Sequence, residues 1–597
     1  MDIETLSRLF CHNVSQFNKS DLMVYRGKAG AFYKISSNEF KDRVINFALG
    51  LKKLGIKPES KVILLSENRP EWHIADFACH LLNAVVVPIF PTLIAEQIQY
   101  IVQNSDSEAI ILSNKQQAGK IHQIKPELKK VKTIVTMEPE AALEEDLCFE
   151  KVIECGREQD DAGFFEKAVQ SADADTVATI IYTSGTTGAP KGVMLTHKNI
   201  VANVMGCSKV IDITSSDRGL SFLPLSHAFE RTVDYLYFYR GATVIYSSID
   251  RVAEDMLETQ PTIMASVPRF YEKVKSKIES NVQQSGFIKQ KLFHWAIQIG
   301  RQKFQTDMNS HKRGLKLSLF FGIANKLVLS KIRARTGDRI KYFISGGAPL
   351  SSDVAQFFFA TGLKILEGYG LTETAPVITV NRPQKPKIGT VGQLLPGNEV
   401  KIAEDGEILT RGPNVMKGYY KLPAETAEVM VDEWFHTGDI GSLDEEGFLS
   451  ITDRKKQLIV TSVGKKVAPQ AIEKEVENSP YIEQVLLIGE KRNFISALIV
   501  PDFEALEIFA KKNKLRYQNR SDLLRQAAIL DLIQKEVDAR QSIFSNYEKI
   551  RKFQLLTEPF TIENDQLTPT LKIKRRVVEK KYADLIESLY QEKPDNK

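Results

Sequence analysis

Short apolar strands alternate with amphipathic helices through the first third of the chain, and this alternation limits the fold more than any other feature. The predicted strands and helices are, in order, KVILLS, EWHIADFACHLLN, AVVVPIF, AEQIQYIVQNS and EAIILS. Parallel strands need a helical crossover between them, so this spacing predicts βαβ units and a mainly parallel sheet. Later strands of the same kind predict a second, related sheet: ATVIYS, TIMASV and IKYFIS. We therefore predict the α/β class, with a large N-terminal body of parallel or mixed sheets.

The amino-acid composition excludes several classes of protein. A chain of 597 residues is long enough for several domains, and contents of 43% hydrophobic and 26% charged residues exclude wholesale disorder. A formal net charge of +5 is small for this length, so we predict no nucleic-acid partner. The five cysteines form no Cys-x-x-Cys pair, which suits a reducing compartment and predicts no metal cage.

Targeting signals are not visible in the sequence. The start, MDIETLSRLF, lacks the basic segment and apolar core of a signal peptide. Apolar runs such as LLNAVVVPIF are shorter than the roughly 20 residues that a spanning helix needs. We expect a cytoplasmic protein, soluble or peripheral on the inner face of the membrane.

Two changes of character divide the chain. A long, basic, helical insert runs from about residue 272 to 337, and near Asp453 the sequence becomes polar, basic and strand-like. Behind it, VLLIG and ISALIV predict a hairpin. We predict an N-terminal domain at 1–453, a hinge at 454–456 and a small α+β C-terminal domain at 457–597.

The insert allows two interpretations. Its apolar side chains Ile288, Leu292, Trp295 and Ile299 fall on one helical face, with lysine and arginine side chains around them. Such a helix could lie on a membrane surface, or it could pack on its own domain in the ordinary way. We favour packing.

The stretch YTSGTTGAPKGVMLTH, from Tyr182 to His197, concentrates glycines, hydroxyls and one cation behind a predicted buried strand, TVATIIY. Glycines let backbone N–H groups converge on an anion, and lysine adds a positive charge, so the pattern favours a phosphate site over a plain surface loop. It is not a Walker loop, because Lys191 is followed by Gly192 and an extended segment.

The stretch EGYGLTET, from Glu367 to Thr374, offers complementary groups. Its glycines permit close backbone approach, and Tyr369 offers a ring face to a purine. Thr372 offers a donor, and Glu373 offers a hard oxygen ligand for Mg²⁺, although a lone glutamate in a loop could simply be solvated.

Six stretches in this order resemble the adenylate-forming superfamily, which includes acyl-CoA synthetases, adenylation domains of peptide synthetases and beetle luciferases. They are YTSGTTGAPKGVMLTH, LPLSHAFER, EGYGLTET, WFHTGDIG, DRKKQLIVTSVGKKVAP and LTPTLKIKRR. The resemblance runs from about Lys61 to Arg576. LPLSHAFER, the insert and VTSVGKKVAP are most similar to long-chain fatty acid–CoA ligases.

The resemblance implies two half-reactions with ATP, Mg²⁺ and CoA. A fatty acid carboxylate attacks the α-phosphate of ATP and releases pyrophosphate; the CoA thiol then attacks the acyl carbon and releases AMP. Both nucleophiles belong to substrates, so the protein's task is positioning and charge stabilisation. No stable protein partner is predicted.

The resemblance also implies roles for particular residues. The pyrophosphate loop comprises Thr183, Ser184, Gly185, Thr186, Thr187, Gly188 and Lys191. Adenine is held by Gly346, Gly347, Ala348, Glu367, Gly368, Tyr369 and Gly370, with Thr372 at the α-phosphate. The remaining assignments are Thr186 and Glu373 to the metal, Asp439 and Arg454 to ribose, Lys456 to the hinge, Ser462 and Gly464 to pantetheine, His227 to the carboxylate or the acyl entrance, and Lys572 to the catalytic cation.

Several of these assignments have alternatives. Relatives often carry glycine before the catalytic lysine, and here Leu571 replaces it, so Lys574 competes with Lys572. Asp439 and Arg454 could also serve as a structural ion pair, and His227 could be a packed side chain.

Other functions remain open at this point. A related enzyme could load a carrier protein or activate an aryl or amino acid. Amino-acid activators usually carry Phe-Asp after the histidine segment, whereas Phe229 is followed by Glu230 here. A non-catalytic nucleotide- or lipid-binding protein would be expected to lack Lys572 or Glu373, and both are present.

Overall fold

The structure is a computed structural model that describes residues 2–143, 146–159, 161, 163–183, 189–308, 314–455, 458–462, 464–568 and 572–591. It divides into two compact units. The first comprises Met1–Lys401, Leu409–Thr437 and Leu443–Ser450; the second comprises Ile402–Ile408, Gly438–Ser442 and Ile451–Lys597. The domain limits inferred from the sequence stay a prediction.

Strands occur in both units, and through most of the first unit they alternate with helices. They are β1 (Met23–Arg26), β2 (Phe32–Ile35), β3 (Lys61–Leu65), β4 (Val85–Ile89), β5 (Ala109–Leu112), β6 (Thr133–Thr136), β7 (Leu147–Cys148), β8 (Val177–Thr183), β9 (Lys191–Thr196), β10 (Arg218–Ser221), β11 (Thr243–Tyr246), β12 (Ile263–Ser266), β13 (Tyr342–Ser345), β14 (Lys364–Gly370), β15 (Val377–Val380), β16 (Gln393–Leu394), β17 (Glu399–Ile402), β18 (Glu407–Arg411), β19 (Gly418–Tyr419), β20 (Met430–Val431), β21 (Trp434–Leu443), β22 (Leu449–Arg454), β23 (Ile459–Val460), β24 (Lys466–Val467), β25 (Ile482–Ile488), β26 (Ile495–Pro501) and β27 (Ile550–Leu555).

The helices occupy the connections between these strands and much of the chain after β26. They are α1 (Leu6–Gln16), α2 (Ser37–Lys53), α3 (Pro70–Leu81), α4 (Ala95–Ser105), α5 (Lys115–Ile124), α6 (Phe149–Arg157), α7 (Phe164–Ser171), α8 (His197–Val210), α9 (Ala228–Arg240), α10 (Val252–Thr259), α11 (Pro268–Gln283), α12 (Phe287–Met308), α13 (Leu315–Ala324), α14 (Ser330–Ala334), α15 (Ser352–Thr361), α16 (Pro423–Val429), α17 (Pro469–Glu477), α18 (Phe503–Lys512), α19 (Arg520–Arg525), α20 (Ala527–Arg540), α21 (Arg575–Lys581) and α22 (Ala583–Tyr590). No helix within the described ranges combines the length and apolarity that crossing a membrane would need.

Two large sheets of the first unit confirm the predicted α/β class. One has the strand order β19-β9-β8-β4-β3-β5-β6-β7, and the other has the order β16-β15-β14-β13-β12-β10-β11-β1-β2. β3 runs parallel to β4 and β5, and β12 runs parallel to β10 and β13. The strands predicted before Asp453 all fall on strands of these two sheets, where helices on the sheet faces bury such apolar, β-branched runs.

The helical insert packs through part of the predicted apolar face. Ile299 is buried, and the Trp295 ring meets Phe320 of α13 at a centroid distance of 6.4 Å. This agrees with the packing that we favoured. Ile288, at the start of the same face, is 81% exposed.

The second unit contains the predicted hairpin, in which β25 pairs with β26 in antiparallel fashion, and β27 adds to β26 in parallel. Its core includes Val485, Ile499 and Ile533, all fully buried. A short bridge pairs Leu567 with Ile573 near the predicted catalytic lysine.

Candidate active site

A hairpin of β8 and β9 brackets the predicted phosphate loop. Thr183 ends β8 and pairs with Lys191, the first residue of β9. Ser184, Gly185, Thr186, Thr187 and Gly188 lie outside the described residues. Thr183 and Lys191, which lie at the two ends of the loop, are therefore directly opposite each other in an antiparallel strand pair.

Glu373 lies in a short helical turn, Thr372–Thr374, directly after β14. The hydroxyl of Tyr419 donates to Oε1 of Glu373 at 3.0 Å, and the backbone N–H of Met416 donates to the Glu373 carbonyl at 2.8 Å. Lys191 Nζ lies 5.0 Å from the centroid of the Tyr419 ring. One side chain thus connects the predicted metal ligand with the predicted phosphate-binding cation.

Strand pairing explains how Tyr419 reaches this position. β19 pairs with β9, so that Tyr419 lies opposite Val193. Tyr419 was not predicted as a site residue, because its role depends on this long-range pairing. The sequence MKGYYKL shows only that a tyrosine follows a glycine.

The predicted adenine segments end two neighbouring parallel strands. Gly346, Gly347 and Ala348 follow β13, and Glu367, Gly368, Tyr369 and Gly370 close β14. Ser345 is in register with Glu367, whose Oε1 accepts from the backbone N–H of Leu350 at 3.3 Å. In parallel sheets, ligands bind beyond the carboxyl ends of the strands, where these segments lie.

Gly370 is required for a reason that the sequence did not suggest. A Cβ there would lie 1.7 Å from the carbonyl oxygen of Pro376, whereas a Cβ on Gly368 would make only ordinary contacts. The small residue at Gly370 therefore permits the chain to fold back tightly on itself before the Glu373 turn.

His227 is the N-cap of α9. Its Nδ1 accepts from the backbone N–H of Phe229 at 3.1 Å, and its ring meets Phe90 at a centroid distance of 6.3 Å. A nitrogen that accepts a hydrogen bond carries no proton, so the neutral ring carries its proton on Nε2. His227 is thus oriented as a donor through Nε2.

The helix α9 also carries a buried cation that the sequence analysis left without a role. Arg231 is 2% exposed, and its guanidinium pairs with Asp76 of α3. Its Nη1 donates to the Thr179 hydroxyl of β8 at 2.8 Å, and its Nε donates to Tyr235 at 2.8 Å. Arg231 therefore ties the helix of His227 to the strand that leads into the phosphate loop.

A buried carboxyl pair lies on the same helix. Glu230 accepts from the backbone N–H of Phe222 at 3.0 Å, and Asp234 accepts from the Ser221 hydroxyl at 2.7 Å. Burial raises the pKa of Glu230 well above its ordinary value and the pKa of Asp234 to about 8. Burial also lowers the pKa of His73, 3.7 Å from Asp234, to about 3. Burial thus favours the neutral forms of Asp234 and His73 over the charged forms.

Stability should consequently depend on Asp234 ionisation. Because its pKa rises from 3.8 to about 8 on folding, the folded state binds more protons between these values, and stability falls as pH rises through that window. The slope for one group is at most about 1.4 kcal/mol per pH unit. Asp234→Asn should make stability fall less steeply with pH in urea denaturation series, with Glu230 contributing the part that remains, whereas the exposed control Glu445→Gln should keep the full slope. An unchanged slope in Asp234→Asn would contradict the raised pKa.

The predicted ribose residues lie in the second unit. Arg454 Nε is 3.0 Å from Oδ1 of Asp439, which is 3% exposed as a residue. Burial raises the pKa of the neighbouring Asp453 to about 6. The ion pair agrees with either alternative for Asp439 and Arg454, since a carboxylate can also accept from ribose hydroxyls. Lys456, the predicted hinge, lies outside the described residues.

The predicted pantetheine residues belong to the turn between β23 and β24. The backbone N–H of Ser462 donates to the Arg492 carbonyl at 2.9 Å, and Gly464 has a positive φ of 75°. A left-handed φ suits glycine, so the structure supports a turn requirement for Gly464.

The two candidate lysines lie on either side of Ile573. Lys572 is exposed, and its backbone N–H donates to the Thr568 hydroxyl at 3.0 Å. Lys574 Nζ pairs with Asp565, and Lys574 occupies the N-cap position of α21. The assignment of Lys572 as the catalytic cation stays a prediction, with Lys574 as its alternative.

Comparisons with known proteins agree with this arrangement. The profile of the AMP-binding enzyme family matches residues 11–420, and that of the AMP-binding enzyme C-terminal domain matches residues 456–594. Long-chain-fatty-acid--CoA ligase FadD15 of Mycobacterium tuberculosis is 36% identical over 570 residues, which cover 94% of this chain and 93% of the relative. Fatty acyl-CoA synthetase A of Dictyostelium discoideum is 34% identical, with coverage of 95% and 87%.

Solved structures show the same fold at lower identity. The anthranilate CoA ligase AuaEII in complex with anthranoyl-AMP matches with a TM-score of 0.73 at 20% identity and covers 98% of both chains. A didomain of carboxylic acid reductase from Segniliparus rugosus in complex with AMP matches with a TM-score of 0.74 at 21% identity, covering 98% of this chain and 82% of the other. The profile matches and the near full-length relatives show that the chain belongs to the AMP-binding enzyme family.

Proposed function

We propose that the chain is a long-chain fatty acid–CoA ligase. It adenylates a fatty acid carboxylate with ATP, releases pyrophosphate, and then forms the thioester with CoA and releases AMP. The long-chain ligases of 31–36% identity over nearly the whole chain support this activity. The observation that carries it is the contact of Tyr419 with Glu373 at 3.0 Å, with Lys191 above the same ring.

Magnesium fits the donor chemistry of this cluster. Glu373 supplies a hard carboxylate oxygen. The hydrogen bond that the Tyr419 hydroxyl donates restricts the orientation of that carboxylate. Glu373 and Thr186 would hold the ion together with the phosphates. When bound, Mg²⁺ neutralises charge on the phosphate oxygens.

The other residues position the substrates. Lys191 and the loop from Thr183 to Gly188 bind the departing pyrophosphate, and Tyr369 stacks on adenine. His227 donates through Nε2 to the fatty acid carboxylate, which turns an oxygen towards the α-phosphate. Lys572 stabilises the negative charge that shifts between the carboxylate and the phosphate during the transfer.

The second unit serves both half-reactions. Asp439 and Arg454 hold the ribose hydroxyls, Lys456 is the hinge residue, and the turn of Ser462 and Gly464 guides the pantetheine arm. Lys572 serves the adenylation step, and this turn serves the thioester step.

An AMP-release assay tests the proposed function. Purified protein is given ATP, Mg²⁺ and acids from butanoate to eicosanoate, with and without CoA. A long-chain ligase should release AMP in a CoA-dependent manner and prefer the longer acids. Release that needs a carrier protein, or none with any acid, would contradict the proposal in favour of a carrier-loading enzyme or a binding protein.

Removing the metal ligand should raise the magnesium requirement. Glu373→Gln keeps the side-chain size but weakens the hard oxygen ligand, so ATP binding should need at least about tenfold more Mg²⁺. Tyr419→Phe should shift the same titration by a smaller factor, because it removes only the hydrogen bond that orients Glu373. ATP binding by calorimetry at several Mg²⁺ concentrations measures both effects. Tyr420→Phe, which loses a contact with Asp106, serves as the control, and superimposable titrations for all variants would refute the metal role.

A further inference from the structure

The turn that carries Glu373 continues in a backbone conformation that needs support from its surroundings. The turn Thr372–Thr374 is followed by Ala375, whose φ is 59°. A left-handed φ is unfavourable for a residue with a Cβ and persists where neighbouring groups hold the chain in place. The contacts of this turn therefore determine where the Glu373 carboxylate lies.

Asn203 holds the chain directly after the turn. It lies on α8 and is 1% exposed. Its Nδ2 donates to the Val377 carbonyl at 2.7 Å, and its Oδ1 accepts from the Val377 backbone N–H at 3.3 Å. The same Nδ2 lies 3.5 Å from the Thr374 carbonyl oxygen. One amide thus pairs with both backbone polar groups of Val377, the first residue of β15.

Asn414 holds the turn from a second segment of the chain. It is also 1% exposed, and its Nδ2 donates to the Thr374 carbonyl at 3.0 Å. Among the described residues, its Oδ1 has no hydrogen-bond partner. Because leaving a buried oxygen unpaired costs free energy, this amide orientation is explained by the hydrogen bond that its nitrogen donates.

The helix α8 also connects this turn with other parts of the site. It follows β9, whose first residue is Lys191. Asn199 of the same helix donates through Nδ2 to the carbonyls of Pro413 and Val415, both at 2.8 Å. These two residues flank Asn414 in the segment that leads to β19. One helix therefore holds both the turn of the predicted metal ligand and the strand of its hydrogen-bond partner.

We propose that Asn203 and Asn414 are positioning residues for Glu373, which place its carboxylate before magnesium binds. Groups that orient a metal ligand in advance raise metal affinity, because the ligand loses less freedom when the ion binds. Both asparagines act through the backbone of the turn, so their loss should change the magnesium requirement and leave the affinity for the nucleotide itself unchanged. The inference rests on the proposed function, because it takes Glu373 as the metal ligand.

Calorimetry of ATP binding at several Mg²⁺ concentrations tests this proposal with the full-length protein. Asn203→Ala and Asn414→Ala should each need at least about fivefold more Mg²⁺ for half-maximal ATP binding. At saturating Mg²⁺, their ATP affinity should stay within about twofold of that of the unaltered protein, because mass action restores the metal-bound form. Asn203→Ser and Asn414→Ser, which keep a hydroxyl donor for the carbonyl, should shift the titration less.

Combination with Glu373→Gln separates positioning from stability. If the asparagines act through the Glu373 carboxylate, adding Asn203→Ala or Asn414→Ala to Glu373→Gln should cause no further increase in the magnesium requirement. Substitutions that only loosen the fold would instead add their effect to that of Glu373→Gln.

Two other buried asparagines are matched controls. Asn13 resembles Asn414, because its Nδ2 donates to the Phe238 carbonyl at 2.6 Å and its Oδ1 has no partner within the described ranges. Asn381 resembles Asn203, because its Nδ2 donates to a backbone carbonyl at 2.7 Å and its Oδ1 accepts from a backbone N–H at 2.9 Å. Asn13→Ala and Asn381→Ala should lower stability in urea denaturation and leave the magnesium requirement unchanged.

Three results would overturn the proposal. They are magnesium titrations of the asparagine variants that match those of the controls, shifts that add to the shift of Glu373→Gln, and loss of ATP binding at saturating Mg²⁺ in the alanine and serine variants alike. If Glu373→Gln shifts the titration in any of these cases, the proposed metal site stands and only the role of the asparagines fails. An unaltered protein that binds no ATP, or an unchanged titration in Glu373→Gln, would contradict the proposed function itself and the inference with it.

Discussion

Lys572→Ala is expected to lower ATP–pyrophosphate exchange by about 10²–10³-fold, because a preorganised cation at the charge-shifting centre contributes roughly 3–4 kcal/mol to the transition state. The same variant should still convert a supplied acyl-adenylate and CoA into the thioester, since that step does not transfer a phosphate. The two reactions are measured separately, by exchange of labelled pyrophosphate and by thioester formation.

Lys574→Ala is the matched control for this experiment. Lys574 pairs with Asp565 and makes no side-chain capping bond to α21, so its loss should change stability slightly and leave exchange within a few-fold of the unaltered protein. If Lys574→Ala abolished exchange and Lys572→Ala did not, the assignment of the two lysines would be reversed. Equal exchange in all three proteins would remove the catalytic cation from this segment.

Arg231→Met should destabilise the first unit by about 3–5 kcal/mol, because it leaves a buried carboxylate without its partner. Burial alone would raise the pKa of Asp76, but the guanidinium of Arg231 and the ring of His80 hold it well below its ordinary value. The variant loses the favourable interaction of Asp76 with the guanidinium. Asp76 must then bind a proton or stay charged in the core. Urea denaturation measures the loss.

A double variant separates the charge from the packing. Asp76→Asn together with Arg231→Met removes both charges, so it should recover a large part of the lost stability. If the double variant were as unstable as the sum of the single variants, lost packing and not the ion pair would explain the effect. In that case the contact between Arg231 and Thr179 would be the better candidate for the stabilising interaction.

Local patterns predicted most of the fold. The alternation from β3 to β5, the hairpin of β25 and β26, and the strand before the phosphate loop all depend on short-range periodicity, which a single sequence displays. The two sheets followed from the same reasoning, because helices between buried strands imply parallel pairing. The order of the strands within each sheet was not predictable, since it depends on contacts between distant segments.

The sequence predicted some residues of the candidate site and missed others, because some of them come together only through contacts between distant segments. Glu373 and Lys191 lie in recognisable motifs, whereas Tyr419 joins them only because β19 pairs with β9. Arg231 was quoted within a motif but received no role, because a charged residue on a helix is expected at the surface. Its burial is explained by Asp76, a partner on another helix that no local pattern connects with it.

The tight fold at Gly370 limits how this enzyme could be re-engineered. A directed-evolution library that randomises the segment around Glu373 would include many variants at Gly370. Any side chain there would collide with the Pro376 carbonyl oxygen. Most of these variants would misfold, so their activities would give little information about substrate preference. Screening effort is better placed on side chains that tolerate change, with this glycine kept constant.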